Sequence, residues 1–189
     1  MNRATILFAT SNRGKLEEAA LVLGPLGFSV KGYDGKGVEI QADTTAEVAI
    51  HTAKQAASAA GRPVIVEDAG LFVKALNGFP GVYSAYALKT IGIPGVLSLL
   101  RKPAAREAKF VSSVAYCEPG GVPKVFGGSV SGTISSSPRG TRGFGFDPIF
   151  IPSGHGRTFG ELGIDEKCSI SHRGQALRRF AKWHASHER

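Results

Sequence analysis

The feature that most constrains this chain lies at its start. An apolar run, Ala4 to Ala9, breaks into the polar stretch Thr10-Ser11-Asn12-Arg13-Gly14, after which Leu16, Ala19, Ala20 and Leu23 recur at helical spacing. A short apolar run bounded by polar residues reads as a buried strand, and the 3.6-residue period predicts a helix over about 15–23, stopped by Gly24-Pro25. A strand that passes through a polar loop into a helix is the opening of an α/β fold.

The rest of the chain continues that pattern. Phe28 to Lys31 predicts a second strand. Thr44-Thr45-Ala46-Glu47 has the form of a capping box and predicts a long Ala-rich helix to about Ala60, closed by Gly61 and Pro63. Val64 to Val66 predicts a strand ending at Glu67-Asp68, and Pro94 a further helix start. Lys109 to Tyr116 and Pro123 to Ser135 flank the turn residues Glu118-Pro119-Gly120-Gly121 and predict an antiparallel meander. A last helix is expected from Ser171 toward Trp183. The sum is an α/β chain with a mixed sheet. One domain over residues 1–189 is expected, with a smaller lobe at about 110–137 as its only suggested subdivision.

Composition narrows the function classes. With 189 residues, 42% apolar and 20% charged, disorder is excluded for most of the chain. No stretch approaches the roughly 18 apolar residues of a membrane span. The run at Ala4–Ala9 is too short for a secretory signal core. Cys117 and Cys168 read as two reduced thiols in a cytoplasmic protein. The formal net charge of +8 suits either a nucleic acid or a small polyanion. Scattered basic residues, with one cluster at Arg178, Arg179, Lys182 and Arg189, favour the small polyanion.

Four segments carry candidate chemistry, each with a plainer alternative. Thr10 to Lys15, between strand and helix, offers hydroxyls, free N–H groups and an ammonium to a phosphate, or merely caps a helix. It is not a Walker loop, since Leu16 follows Gly14-Lys15. Glu67-Asp68 could share a hard cation with phosphate oxygens, with Glu39 and Asp43 as further carboxylates, or be a solvated turn. Gly143-Phe144-Gly145-Phe146-Asp147-Pro148 could stack a planar base, or pack on the core. Pro148 argues against a helix there, so a Rossmann reading is weak. Lys167, His172 and Arg173 gather near a helix start that Ser171 would cap, as a polar pocket or a capped surface helix.

The order of these segments resembles the inosine triphosphate pyrophosphatase family. The likeness runs through FATSNRGK at 8–15, VEIQ at 38–41, VEDAGLFVKALNGFPGVYSA at 66–85, GFGFDPIF at 143–150 and EKCSISHRGQAL at 166–177. It implies an elongated mixed sheet flanked by helices, two lobes with a central cleft, and a homodimer. It implies hydrolysis of ITP, dITP and XTP to the monophosphate and pyrophosphate with Mg²⁺, or Mn²⁺ in its place. By the same resemblance Thr10, Ser11, Asn12, Arg13, Gly14 and Lys15 form the phosphate loop. Glu39 and Asp68 hold the metal, and Asp68 is the catalytic proton acceptor. Ala69 stands where many relatives have Ser, and its N–H is expected to meet substrate. Phe144, Gly145, Phe146, Asp147, Lys167, His172 and Arg173 form the base-binding set. Thr52 stands where many relatives carry Lys, and Lys54 points about 200° around the helix from it, so a phosphate contact is in doubt. Three other readings remain: a sister pyrophosphatase of methylated or pyrimidine nucleotides, a nucleic-acid module, and a nucleotide sensor without turnover. No membrane and no stable nucleic-acid partner are expected.

Overall fold

The structure, a computed structural model, describes residues 4–35, 37–38, 40–100 and 106–187. Strand β1 (Ala4–Ala9) pairs in parallel with β2 (Phe28–Tyr33) and, at two positions, with β3 (Val64–Val73). The order of the seven-stranded sheet continues through β5 (Glu107–Cys117), β6 (Lys124–Ile134) and β7 (Phe150–Pro152), all antiparallel, while the short β4 (Pro80–Gly81) sits beside β3. The expected mixed sheet is thus present, and the expected meander is the β5–β6 hairpin.

Helix α1 (Arg13–Leu23) begins two residues before the apolar spacing predicts, because Asn12 accepts from the Lys15 N–H at 3.1 Å and caps it. Gly24-Pro25 narrows this helix to a 3₁₀ turn, and Gly27 at φ 93° ends it. Helix α2 (Thr45–Ala60) carries the expected box: the Glu47 N–H donates to Thr44 Oγ1 at 3.2 Å, and the Thr44 N–H to Glu47 Oε2 at 3.0 Å.

Three elements differ from expectation. Strand β3 does not stop at Glu67-Asp68 but runs to Val73, since β5 pairs it from Val64↔Cys117 to Val73↔Ala108. Both carboxylates are therefore mid-strand, on opposite faces of the sheet. Two helices, α3 (Ser84–Thr90) and α4 (Gly92–Leu99), occupy the region where Pro94 predicts one. A short helix α5 (Ile164–Ile170) precedes α6 (His172–His187), whose Gly174 N–H donates to Ser171 Oγ at 3.1 Å. Pro148 opens only a 3₁₀ turn.

Strand alternation sends Ile6 and Phe8 to the face covered by α1 and α6, against Leu23 and Phe180. It sends Leu7 and Ala9 to the other face, against Ala49 and Ala53 of α2. Small residues on α2 let that helix lie close to the sheet. Phe8 and Phe180 are fully buried, so truncating either to Ala would cost about 3–5 kcal/mol. A third cluster gathers Leu71, Val96, Phe110, Phe150 and Phe159 at the far end of the sheet.

Candidate active site

The sheet leaves a gap at its centre. β1 pairs with β3 only at Leu7↔Val64 and Phe8↔Ile65, and β4 pairs only at Leu71 and Phe72. Among the described residues, β3 from Val66 to Gly70 has a strand beside it on one edge alone. A cavity of about 1020 Å³ opens at that edge, beyond the carboxyl end of β1. This is where open α/β sheets place their ligands.

Each wall of the cavity comes from a different element. Thr10 and Asn12 enter from the β1–α1 loop and Lys15 from the first turn of α1. Glu67, Asp68 and Ala69 line it from β3, Val48 and Thr52 from α2, and Phe79, Tyr83 and Tyr86 from the segment around α3. Phe144, Gly145, Phe146 and Asp147 form the opposite loop, with His172 and Arg173 at the start of α6. Ser11, Arg13 and Gly14 are not in the lining, and Lys167 lies behind it. Glu39 falls outside the described residues, though Gly37 and Ile40 on either side of it face the cavity. Lys54 is exposed and away from the cavity, in keeping with its angular offset from Thr52.

Six side chains form a row of alternating charge, four of them in the cavity lining. Lys167 Nζ donates to Asp147 Oδ2 at 2.5 Å and to Glu18 Oε1 at 2.6 Å. Arg173 donates through Nη1 to Glu18 Oε2 at 2.6 Å, and its Nε lies 3.1 Å from Glu67 Oε1. Lys15 Nζ ends the row, 2.9 Å from Glu67 Oε2 and 2.9 Å from the Glu67 carbonyl oxygen. Ser112 Oγ donates to Glu67 Oε1 at 2.6 Å. The Phe144 ring has Lys167 Nζ at 4.8 Å and Arg173 Cζ at 5.1 Å from its centroid, within cation–π range. The Phe144 backbone N–H donates to Asp147 Oδ2 at 2.7 Å. A Cβ on Gly14 would come within 2.5 Å of this ring, so the bare backbone of α1 lets the aromatic loop close on the phosphate-loop side.

Residues 6–183 match the Ham1 family. The chain belongs to the Ham1 family. It is similar to a dITP/XTP pyrophosphatase of Methanopyrus kandleri, 53% identical over 95% of each chain. It is similar to another of Thermococcus kodakarensis, 52% identical over 94% of this chain and 96% of that one. Among solved structures, a HAM1 protein from Coxiella burnetii superposes with a TM-score of 0.84 at 34% identity, covering 97% of this chain and 99% of that one. The Staphylococcus aureus Ham1 protein gives 0.83 at 34% identity, covering 97% and 100%.

In this Ham1-family cavity the charges are set by their neighbours. Burial works to raise the Glu67 carboxyl, but Arg173 and Lys15 outweigh it and hold the group far below the ordinary carboxylate range. Glu18 is likewise lowered, as Arg173 and Lys167 outweigh burial. Asp147 goes the other way: burial raises it in spite of Lys167. Burial, then the adjacent Arg173 charge, drive His172 well below its usual range. Its ring is a neutral imidazole stacked on Phe110, with centroids 4.6 Å apart and planes 6° off parallel.

The donor set suits one kind of cation. Among the described residues no three His, Cys, Asp or Glu side chains converge to cage a metal. Glu67 has both oxygens committed. Asp68 is half-buried and in the lining. A hard divalent cation that keeps several waters and shares phosphate oxygens asks for only one or two carboxylates, so the residues present fit it.

Sequence reasoning missed Glu18. Its signal was an acid at an inward position of α1, on the face shared by Lys15, Ala19 and Val22. Ser112, and the aromatic rim of Phe79, Tyr83 and Tyr86, were also missed, and no local pattern marks them.

Proposed function

We propose that this chain is a nucleoside triphosphate pyrophosphatase acting on ITP, dITP and XTP, releasing the monophosphate and pyrophosphate. The observation that carries the reading is the division of labour between two adjacent carboxylates. Glu67 is held by Lys15, Arg173 and Ser112, and Asp68, the next residue on β3, is half-buried in the cavity lining. The names of the 43–53% identical relatives, all dITP/XTP pyrophosphatases, support the same substrate class.

Lys15 donates to the Glu67 carbonyl oxygen and lies in ion-pair range of Glu67 Oε2; an ammonium has three donors, which leaves at least one for the phosphate tail. Thr10, Asn12 and the free N–H groups at the start of α1 add donors to the same end. Mg²⁺, with Mn²⁺ as substitute, held by Asp68 and Glu39, would supply charge neutralisation for the leaving pyrophosphate. Asp68 orients the water and takes its proton as oxygen attacks the α-phosphorus and the bond to the β-phosphate oxygen breaks.

At the other end, Phe144 offers a stacking face. Arg173 and the neutral His172 are donors toward the position of a 6-oxo group, with Lys167 behind them on Asp147 and Glu18. Adenine presents an amine there, and a donor-lined site leaves that amine unpaired, which is worth several kcal/mol of rejection. The reading includes a single domain, a cytoplasmic setting and a homodimer. Two free buried cysteines support a reducing compartment, and among the described residues no helix is long and apolar enough to cross a membrane. Exposed Ile91 and Leu99, on the α3–α4 edge, support a partner surface.

Pyrophosphate release from ITP, XTP, dITP, ATP and GTP, with and without Mg²⁺, tests the proposal. Release from the first three, dependent on the cation, is expected. Equal turnover of ATP, or none of ITP, would overturn it.

A further inference from the structure

One wall of the cavity has no task in the nucleotide reading. Along the open edge of β3, the pairing with β1 stops at Ile65 and the pairing with β4 begins at Leu71, a separation of about 20 Å at the rise of a strand. Thr10, Asn12 and Lys15 stand at the β1 end, and the Phe144 ring lies against Gly14 of α1. At the β4 end the lining comes from the segment around α3, where Phe79, Tyr83 and Tyr86 are 39%, 45% and 69% exposed. None of the residues that this segment gives to the lining carries a charge, so it is no place for a phosphate. It is held firmly. Buried Ser84 Oγ accepts from the Leu71 N–H at 2.8 Å and donates to the Gly81 carbonyl oxygen at 2.7 Å. The Tyr83 N–H donates to the Pro80 carbonyl oxygen at 3.0 Å. These bonds pin the start of α3 to the strand that carries Asp68. Exposed aromatic rings on a fixed support are stacking surfaces for planar groups, and they accept any base. The cavity volume of about 1020 Å³ is at the upper limit for a pocket that takes one drug-sized ligand.

We propose that this wall is a second ring site, and that the chain cleaves dinucleoside polyphosphates that bear a 6-oxo purine at one end. The inference rests on the nucleotide reading above and goes beyond it. The 6-oxo purine takes the Phe144 end, the polyphosphate crosses the gap, and the second base stacks on Tyr83 and Tyr86. A water oxygen bonds to the α-phosphorus on the purine side, and its proton passes to Asp68. The bond from that phosphorus to the bridging oxygen breaks, and the oxygen leaves with the electron pair and the rest of the chain. A 5′,5′-linked inosine–adenosine tetraphosphate and one water thus give IMP and ATP, with a nucleotide as leaving group in place of pyrophosphate.

The test is product analysis and steady-state kinetics of the full chain in Mg²⁺ with ITP, the linked inosine–adenosine tetraphosphate, and the terminal methyl ester of inosine 5′-tetraphosphate. The ester has the same phosphates and charge as the linked compound and no second ring. IMP and ATP should form in equal amounts from the linked compound. Its KM should lie about tenfold below that of the ester. Tyr83→Ala and Tyr86→Ala, at exposed positions, should each narrow that gap, and the double variant should close it. Cleavage of ITP with the linked compound left intact would overturn the proposal and leave the nucleotide reading standing. So would equal KM values for the linked compound and the ester, or a gap unchanged in the folded variants. A double variant that passes from dimer to monomer with the gap unchanged would assign the wall to a second copy of the chain and overturn it too. Failure to cleave ITP at all would overturn the nucleotide reading, and this proposal with it.

Discussion

Lys15 Nζ lies 2.9 Å from the Glu67 carbonyl oxygen and 2.9 Å from Glu67 Oε2. One side chain from α1 thus satisfies a backbone acceptor on the open edge of β3 and a buried carboxylate at once. It stands where β1 has ended and β4 has not begun, so no strand could make the first bond. Lys15→Met should therefore fail twice. Turnover of ITP should drop by about a hundredfold or more, as for loss of one fixed donor at a developing charge. The melting temperature should also fall, because Glu67 keeps only Arg173 and Ser112. A variant that loses activity at unchanged melting temperature would separate the phosphate contact from the strand contact.

Asp68→Asn separates chemistry from stability in the opposite sense. The swap is isosteric at a half-buried position. Turnover should fall by about 10²–10⁴ through loss of the proton acceptor, with little change in thermal midpoint. Steady-state kinetics alongside a melting curve reads both. Near-full activity would remove Asp68 from the reaction.

How much of this was legible in the sequence depended on distance along the chain. The Thr44–Glu47 box was readable because both partners lie within one turn. The segment order from FATSNRGK to EKCSISHRGQAL was readable as a family likeness. The length of β3 was not, because its continuation is set by pairing Glu67 with Val114 on a strand far along the chain. Helix α3 has no side-chain cap at Tyr83, and α5 none at Gly163, so neither carries a start signal. Glu18 looked like a surface acid because its partners, Lys167 and Arg173, lie 149 and 155 positions away.

Glu18→Gln tests that long-range clamp. The carboxylate fixes Lys167 and Arg173, which come from different helices, and it does not itself line the cavity. Losing its charge should cost less than the roughly 3–5 kcal/mol of a wholly unpaired buried ion, since Lys167 keeps Asp147 and Arg173 keeps Glu67. The larger effect should be on selectivity. A loosened guanidinium loses its aim at a 6-oxo acceptor, so kcat/KM for ITP should fall about tenfold or more, while the poor turnover of ATP changes little. Equal losses on both substrates would mark Glu18 as structural only.

The buried imidazole gives a pH signature with a definite sign. The folded chain holds His172 neutral, through burial first and Arg173 second, and so resists its protonation. The unfolded chain takes up that proton below the ordinary histidine value of 6.5. The unfolded state therefore binds more protons in this window, and stability falls as pH falls through it, by up to about 1.4 kcal/mol per pH unit. Glu67 and Glu18 act lower down: their folded values lie below 4.5, so their contribution is present above that value and lost on further acidification. Asp147, raised above 3.8 by burial, opposes them. Melting temperatures taken from about pH 7 to about pH 5 should decline in the wild type. In His172→Gln, which carries no titrating ring, that part of the decline should flatten. A decline of the same slope in the variant would assign it to a group other than His172.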